Sequence, residues 1–361
     1  MKLIIKSTSI FLIIVLFLVS VGLSSERNQN FFLPKDSIKL LFGGDTHFVW
    51  GVQDVQKQEI SPLLLERILP LLESVDFRAL NIETTFTEDS KSLLGRTYVF
   101  NSSPKNLEIL KKIKLNLGFL ANNHTYDYGE KGLLDTIENF KKYDIATIGA
   151  GANIEEALKP FLITIGGIRF AFFAISTISG SKNDYADMNK PGIAGYNERF
   201  IKDIKAVRSK VDYLFLSIHW GQEYRPIVSE SQRNMAKLLL NNGVNFIIGH
   251  HPHIPQAIDV KNDSAIIYSL GNFLFGSTNY FQNHNILTTF HFDSKSKKFL
   301  GVEVIPITGK NRKSKFNIEI LDKEESLKFF QEIYVLSIKE NINQKIYVTK
   351  EINRLFFSAL D

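Results

Sequence analysis

The chain reads as an α/β protein built on two mixed β-sheets flanked by helices. Three features predict this class. Short apolar runs alternate with helical patterns of roughly 10–15 residues, the rhythm of layered α/β folds. A hairpin sits mid-chain in FLITIGGIRFAFFAIST (161–177), where Gly166 and Gly167 supply the small pair that tight primed turns favour. Two late strand runs, ILTTFHFD (286–293) and FLGVEVIPIT (299–308), follow with only a short turn between them. The hairpin and the late strands make the sheets mixed and argue for two of them.

Taken in order, IKLLF (38–42) is a short strand ending at Gly43, Gly44 and Asp45. SPLLLERILPLLESV (61–75) has helical periodicity; Pro62 near its start costs little, because that N–H has no helical partner, and Pro70 divides or kinks it. VDFRALNIE (75–83) is the next strand, PKNLEILKKI (104–113) a short amphipathic helix, and LNLGFLANNH (115–124) an apolar run with a polar end. A helix over 129–143 and a strand with its turn over 144–151 lead into the hairpin. After it come a helix over 198–210, the buried strand DYLFLSIHW (212–220) and the helix SESQRNMAKLLLNNG (229–243), closed by glycine. VNFIIGHHPH (244–253) and AIIYSLGNF (265–273) repeat the apolar-then-polar form. SKSKK is a lysine-bearing turn with no chemistry implied, and no internal repeat is found. Residues 309–361, rich in Lys and Glu, read as a C-terminal extension with a helix near 322–340.

With 361 residues, 44% of them hydrophobic, the chain can bury a sizeable core in one large domain or two small ones. Its net charge of +5, from 43 basic and 38 acidic residues, is well mixed, so no specific nucleic-acid partner is expected. The absence of cysteine excludes disulfides, thiolate metal sites, a thiol nucleophile and a lipoprotein anchor. Residues 1–30 read as an export segment. Lys2 and Lys6 precede an apolar run from Ile10 to Val19 that continues through Val21 and Leu23. Ser20, Gly22 and Ser24 suit cleavage of a signal peptide; retention as an N-terminal membrane anchor is the other reading. Either one places the body of the chain outside the cytoplasm: in the cell envelope at the outer face of the cytoplasmic membrane, in the periplasm, or secreted.

The informative fact is positional. Five apolar strand candidates end in groups with metal-ligand chemistry: Asp45 and His47; Asn81 and Glu83; Asn123 and His124; His219; and His250, His251 and His253. In open α/β sheets the carboxyl ends of strands share one rim, where loops bring distant residues together. Histidine nitrogen, carboxylate and amide oxygen together suit Mn, Fe or Zn, whereas calcium prefers an all-oxygen set. The set is too large for one tetrahedral ion, and two ions about 3.5–4 Å apart sharing a carboxylate would use it naturally. Each element alone has an ordinary reading: a turn cap at Asp45, an Asx turn at Asn123, a core histidine at His219. Pro252 biases His251 toward an extended conformation and so helps fan two imidazoles from one loop.

GGDTH, LNIET, LANNHTYDYGEKGLLDT, ATIGAGANIEEALKP, SIHWGQEY, IIGHHPHIPQ and YSLGNF, in this order from about Leu40 to Phe275, resemble the poly-gamma-glutamate capsule synthesis family, the CapA-type proteins of bacterial envelopes. Their domain is in turn similar to the calcineurin-like metallophosphoesterases. The resemblance implies a four-layer sandwich over residues 36–308, with two mixed sheets flanked by helices and the metal site at one sheet rim. It also implies metal ligation by Asp45, His47, Glu83, Asn123, His219, His251 and His253, with His124 handling a proton. Where phosphoesterases carry a bridging aspartate, this chain has Asn81-x-Glu83; where they carry an acid beside the histidine, it has Thr125. Asp127 is then the group that orients His124 or caps the following helix.

The chemistry expected is metal-assisted hydrolysis of a phosphoryl or carbonyl group at a dinuclear site, with His124, Asp127 and Glu223 acting at the substrate. Glu223 and Arg225, close after His219, are placed to hold an anionic or amide substrate; an ordinary loop salt bridge is the alternative. His250 is expected behind the ligands or facing substrate, and Asn81 and Asn272 are expected to support the rim. Non-catalytic assembly, tethering or polymer binding in the capsule apparatus is the other function class. Capsule synthase membrane components and an anionic polymer are the partners the resemblance implies.

Overall fold

The computed structural model describes residues 36–57, 65–89, 91–277, 284–309, 316–349 and 353–360. The export segment over 1–30 and the start of the helix expected from 61 lie outside the described residues. No helix among those described is long and apolar enough to cross a membrane.

Among the described residues, fourteen strands make the two principal sheets. They are β1 (Ser37–Thr46), β2 (Phe77–Ile82), β3 (Leu117–Phe119), β4 (Ala146–Ile148), β5 (Phe161–Ile165), β6 (Ile168–Ser176), β7 (Tyr213–His219), β8 (Phe246–His250), β9 (Ile258–Lys261), β10 (Ser264–Ile267), β11 (His284–Asp293), β12 (Phe299–Thr308), β13 (Lys345–Val348) and β14 (Leu355–Ser358). The first sheet has eight strands in the order β13-β14-β12-β11-β1-β2-β3-β4, and the second has six in the order β9-β10-β8-β7-β6-β5. Both are mixed, because β1 to β4 are parallel while β11 to β14 are antiparallel to their neighbours. In the second sheet β6, β7, β8 and β10 run parallel, with β5 and β9 antiparallel at the two edges. This is the α/β sandwich of two mixed sheets that the sequence predicts.

Packing explains why these strands read as continuous apolar runs. Along β1, Ile38, Leu40 and Phe42 point into the layer between the sheets. Leu41, between them, faces the outer layer and packs among Leu80, Leu133 and Phe140. With both faces covered, alternation in polarity is lost. The inter-sheet layer is laminated by aromatic rings: Phe215 stacks on Phe172 at 5.0 Å and on Phe42 at 5.1 Å, and meets Phe290 edge-on at 5.2 Å. Among the described residues, four helices of eleven or more residues flank the sheets: α1 (Gly129–Lys142), α2 (Glu198–Arg208), α3 (Glu230–Asn241) and α4 (Lys323–Glu340). Each of the last three begins on a side-chain cap, from Asn197, Ser229 and Asp322.

The turn between β5 and β6 has Gly166 at φ +55° and Gly167 at φ +77°, so both central residues take the left-handed conformation that primed hairpins need. At 66–73 the helical stretch is divided near Pro70, as expected: a 3-10 turn is followed by a helix from Leu69, with Pro70 in its first turn. The C-terminal residues are woven into the sheets. β14 pairs with β12, and α4 covers the exposed edge of β9, where Ile258 N–H donates to Ser337 Oγ at 3.0 Å. Gln344 Oε1 accepts the Val260 N–H at 2.6 Å and its Nε2 donates to the Ile258 carbonyl at 2.9 Å, occupying an edge that would otherwise invite another strand.

Candidate metal centre

The parallel strands of both sheets end on one rim, and the register fixes what meets there. Asp45 lies opposite Asn81 across β1 and β2, and His219 lies opposite His250 across β7 and β8. Asp45 also bridges to Asn272, which closes the gap between the sheets. That crossing needs two glycines. A Cβ on Gly44 would overlap the Gly271 carbonyl, and Gly271 itself is at φ +71°.

Among the described residues one group meets metal-ligand geometry: Glu83, His251 and His253, all buried, with their ligand atoms within 4.8 Å of one another. Both oxygens of Glu83 and Nδ1 of His251 are buried without a hydrogen-bond partner. Buried polar atoms in proteins are ordinarily paired, so a convergent set of orphans points to an ion. The donor set, imidazole and carboxylate without thiolate, suits Mn, Fe or Zn. The residues therefore fit a divalent transition metal.

The charges agree. Burial pushes the Glu83 carboxyl well above its ordinary range, and the nearby Asp45 and Glu223 charges push it further. His251 is driven down to about 3 by burial and by His253. Burial, with the neighbouring histidines, likewise lowers His47 and His219, leaving neutral rings of the kind that ligate metals. Asp45 goes the other way: burial would raise it, but contacts with His250 and His253 outweigh this and hold it well below the carboxylate range. His253 is raised, since Asp45 and Asn272 overcome the cost of its burial.

The remaining residues surround this group. His253 Nδ1 is 2.9 Å from Asn272 Oδ1 and 3.1 Å from Asp45 Oδ2, which puts the ring proton on Nδ1 and turns Nε2 toward Glu83, 4.0 Å away. His219 Nε2 is 2.7 Å from Asn123 Oδ1 and 3.7 Å from Glu83 Oε1. His47 accepts the Val49 N–H at Nδ1, 3.2 Å away, and its Nε2 is buried without a partner. Asn81 donates to Asp45 Oδ1 at 2.8 Å, and His250 Nδ1 lies 3.5 Å from the same oxygen, so both stand behind Asp45. His124 Nε2 is 4.0 Å from Glu83, while its Nδ1 is 2.7 Å from Asp127 Oδ2. Asp127 does not cap α1, whose N-cap, Tyr128, makes no side-chain cap. Glu223 and Arg225 sit on the exposed loop after β7, and the charge of Glu223 reaches Glu83 and His253.

Sequence reasoning missed the loop's scaffolding. Asn122 Oδ1 accepts from the backbone N–H groups of His124 and Thr125, both at 3.1 Å, while its Nδ2 donates to the Ile82 carbonyl at 2.8 Å. The adjacency of Asn122 to Asn123 was its only signal. Asn285, which accepts the Asn272 N–H at 2.8 Å, has no local signal at all. Nor do Trp50, Tyr98, Phe100 and Phe275, the rings around the histidines.

Residues 39–277 match the family described as bacterial capsule synthesis protein PGA_cap. PGA biosynthesis protein CapA of Bacillus subtilis (strain 168) is 30% identical over 243 residues, 66% of this chain and 64% of that protein. Capsule biosynthesis protein CapA of Bacillus anthracis is 29% identical over 300 residues, 80% of this chain and 71% of the relative. The chain thus spans less than two thirds of the length of the Bacillus subtilis relative. Among solved structures, a phosphatase from Mycoplasma pneumoniae aligns with a TM-score of 0.45 at 18% identity, over 76% of this chain and 94% of that one.

Proposed function

This chain belongs to the bacterial capsule synthesis protein PGA_cap family, and from that premise we propose that it is an exported envelope protein that hydrolyses a bond during the making or processing of poly-gamma-glutamate or a related capsule polymer. The observation that carries the reading is Glu83: a buried carboxylate with no hydrogen-bond donor, faced by His251 and His253. Its partners are proposed to be membrane components of the capsule synthase and the anionic polymer itself.

In this reading Glu83, His251 and His253 hold one divalent ion. Asp45, His47, Asn123 and His219 would hold a second. Such ions supply a nucleophilic water at neutral pH and neutralise charge on a phosphoryl or carbonyl oxygen. Asn272 and Asp45 keep the His253 proton on Nδ1 and so keep Nε2 free to ligate. Asp127 keeps a proton on Nδ1 of His124, so the proton delivered to a leaving group is the one at Nε2. Glu223 and Arg225 stand at the mouth, where a substrate enters.

The test is purified chain reconstituted with Mn²⁺, assayed on a generic phosphodiester and on poly-gamma-glutamate, with bound metal measured by elemental analysis. Turnover dependent on metal and on His124 supports hydrolysis. Stoichiometric metal with polymer binding but no turnover of any substrate assigns the protein to assembly or tethering instead.

A further inference from the structure

An unbroken run of rings leads from the metal cluster to the surface. Phe275 lies against His253 at 4.8 Å and His47 at 3.8 Å, and Phe100 stacks on His124 at 4.0 Å and 25°. Both then meet Trp50, at 6.4 and 4.8 Å, and Trp50 meets Tyr98 at 5.9 Å. The inner rings are buried, but Trp50 is 40% exposed and Tyr98 61% exposed. Tyr and Trp, with an apolar body and a polar tip, are enriched at binding surfaces.

Two further observations single out Trp50. Its backbone is left-handed at φ +54°, a conformation that bulky side chains avoid. Tyr224, His251 and His253 around the same rim share it, at φ +57°, +94° and +58°. Strain of this kind persists where the surrounding structure holds a side chain in place for a purpose. In addition, every ring touching Trp50 among the described residues meets it at 77–88°, so none lies parallel on the indole. The loop carrying Tyr98 is fixed rather than loose: Leu93 N–H donates to the Asp127 carbonyl at 2.9 Å, and Phe100 N–H to Asp127 Oδ2 at 2.9 Å. Arg96 on that loop turns into a buried pair with Asp184 at 2.6 Å, so this lip offers rings in place of that charge.

We propose that Trp50 and Tyr98 form a subsite for the ring of a ring-bearing phosphate ester, the ring lying on the indole while the ester group reaches the Glu83, His251 and His253 cluster. This rests on the hydrolytic reading of that cluster and narrows its substrate to the nucleotide and sugar-phosphate class, since poly-gamma-glutamate carries no ring.

The chain supplies its own reporter. It has two tryptophans, and Trp220 is buried, its Nε1 donating to the Tyr268 carbonyl at 2.9 Å. Fluorescence changes from an added ligand that disappear in Trp50→Ala therefore report Trp50. Full chain loaded with Zn²⁺ is titrated with a nucleoside phosphonate, a pyranosyl phosphonate, ringless methylphosphonate and poly-gamma-glutamate. Because phosphonates are not hydrolysed, binding is read whether or not the protein turns anything over. The expected result is that a ring-bearing ligand perturbs Trp50 and binds at least about tenfold tighter than methylphosphonate. Tyr98→Ala loses about that factor for the ring-bearing ligand and leaves methylphosphonate unchanged. Trp50→Ala, followed by calorimetry, does the same. The stronger of the two ring-bearing ligands identifies the source, nucleotide or sugar. Equal binding of methylphosphonate, no effect of Tyr98→Ala, a Tyr98-dependent response to poly-gamma-glutamate, or no binding at all overturns the subsite. Ring-dependent binding without turnover of any ester leaves the subsite standing and removes the hydrolytic reading.

Discussion

Nδ1 of His124 lies 2.7 Å from Oδ2 of Asp127, and the same oxygen accepts the Phe100 N–H at 2.9 Å. One carboxylate therefore fixes both the tautomer of the histidine and the ring stacked on its face. With Nδ1 engaged, Nε2 is the nitrogen turned toward Glu83.

That geometry separates proton handling from metal holding. His124→Ala is expected to keep its metal and lose roughly 10²–10⁴-fold in turnover, the usual worth of a general acid. Asp127→Asn is expected to keep metal as well, but to alter the pH profile of kcat, because an amide can present its NH2 as well as its oxygen to Nδ1 and lacks the carboxylate charge. Parallel elemental analysis and kinetics decide this; a His124→Ala protein of unchanged activity refutes the proton role.

Glu83→Gln removes the charge that has no partner of its own. Loss of stoichiometric Mn, Fe or Zn is expected, with the fold kept, since the residue packs no core. Metal bound only to the native state adds RT ln(1 + [L]/Kd), about 4 kcal/mol at a thousandfold excess over Kd. A chelator should therefore lower the Tm of the unmodified chain and barely move that of Glu83→Gln. Equal shifts in both would show that the ion lies elsewhere.

Which parts of this were legible in the sequence follows from what each residue needs. Strands β1, β2, β7 and β8 are buried on both faces, so their apolar runs announce themselves, and their polar ends mark the rim. Asp45, His47, Glu83, Asn123, His124, His219, His251 and His253 stand out because such groups rarely close apolar runs. The left-handed backbones of His251 and His253 were not legible: Pro252 suggests extended chain at His251, yet its φ is +94°. In that conformation the His251 N–H donates to Asp45 Oδ2 at 3.3 Å. Asn285 and the rings around the histidines act across long sequence separations, and no local pattern encodes such a meeting.

Phe215 sits at the centre of the ring layer between the sheets, with Phe42, Phe172, Phe246 and Phe290 around it at 4.6–5.2 Å. Phe215→Ala should cost about 3–5 kcal/mol, the sum of lost transfer energy and an unfilled cavity. Denaturant unfolding measures it. Metal content per folded molecule should be unchanged, because the substitution lies in the core and no ligand moves. A loss under about 1 kcal/mol would mean that the layer collapses around the gap.

Glu303 ties the C-terminal strands to the first sheet. Buried on β12, it is 3.2 Å from Arg354 Nη1, just before β14, and 3.5 Å from His291 Nε2 on β11. Burial alone would raise its carboxyl, but the contacts with His291 and Arg354 outweigh this and hold it below the ordinary value of 4.5. Since the folded pKa is the lower one, the ionised form favours folding. The stabilisation is whole above about pH 4.5 and fades as pH falls through the folded value. Glu303→Gln should therefore cost about 1.5–3 kcal/mol at pH 7, the scale of a hydrogen bond to a charged group, and progressively less toward pH 3. Urea unfolding of both proteins across this range gives the difference directly, and hydrogen exchange over 345–358 shows where it acts. A cost that stays constant with pH would place the effect in packing and not in the charge of Glu303.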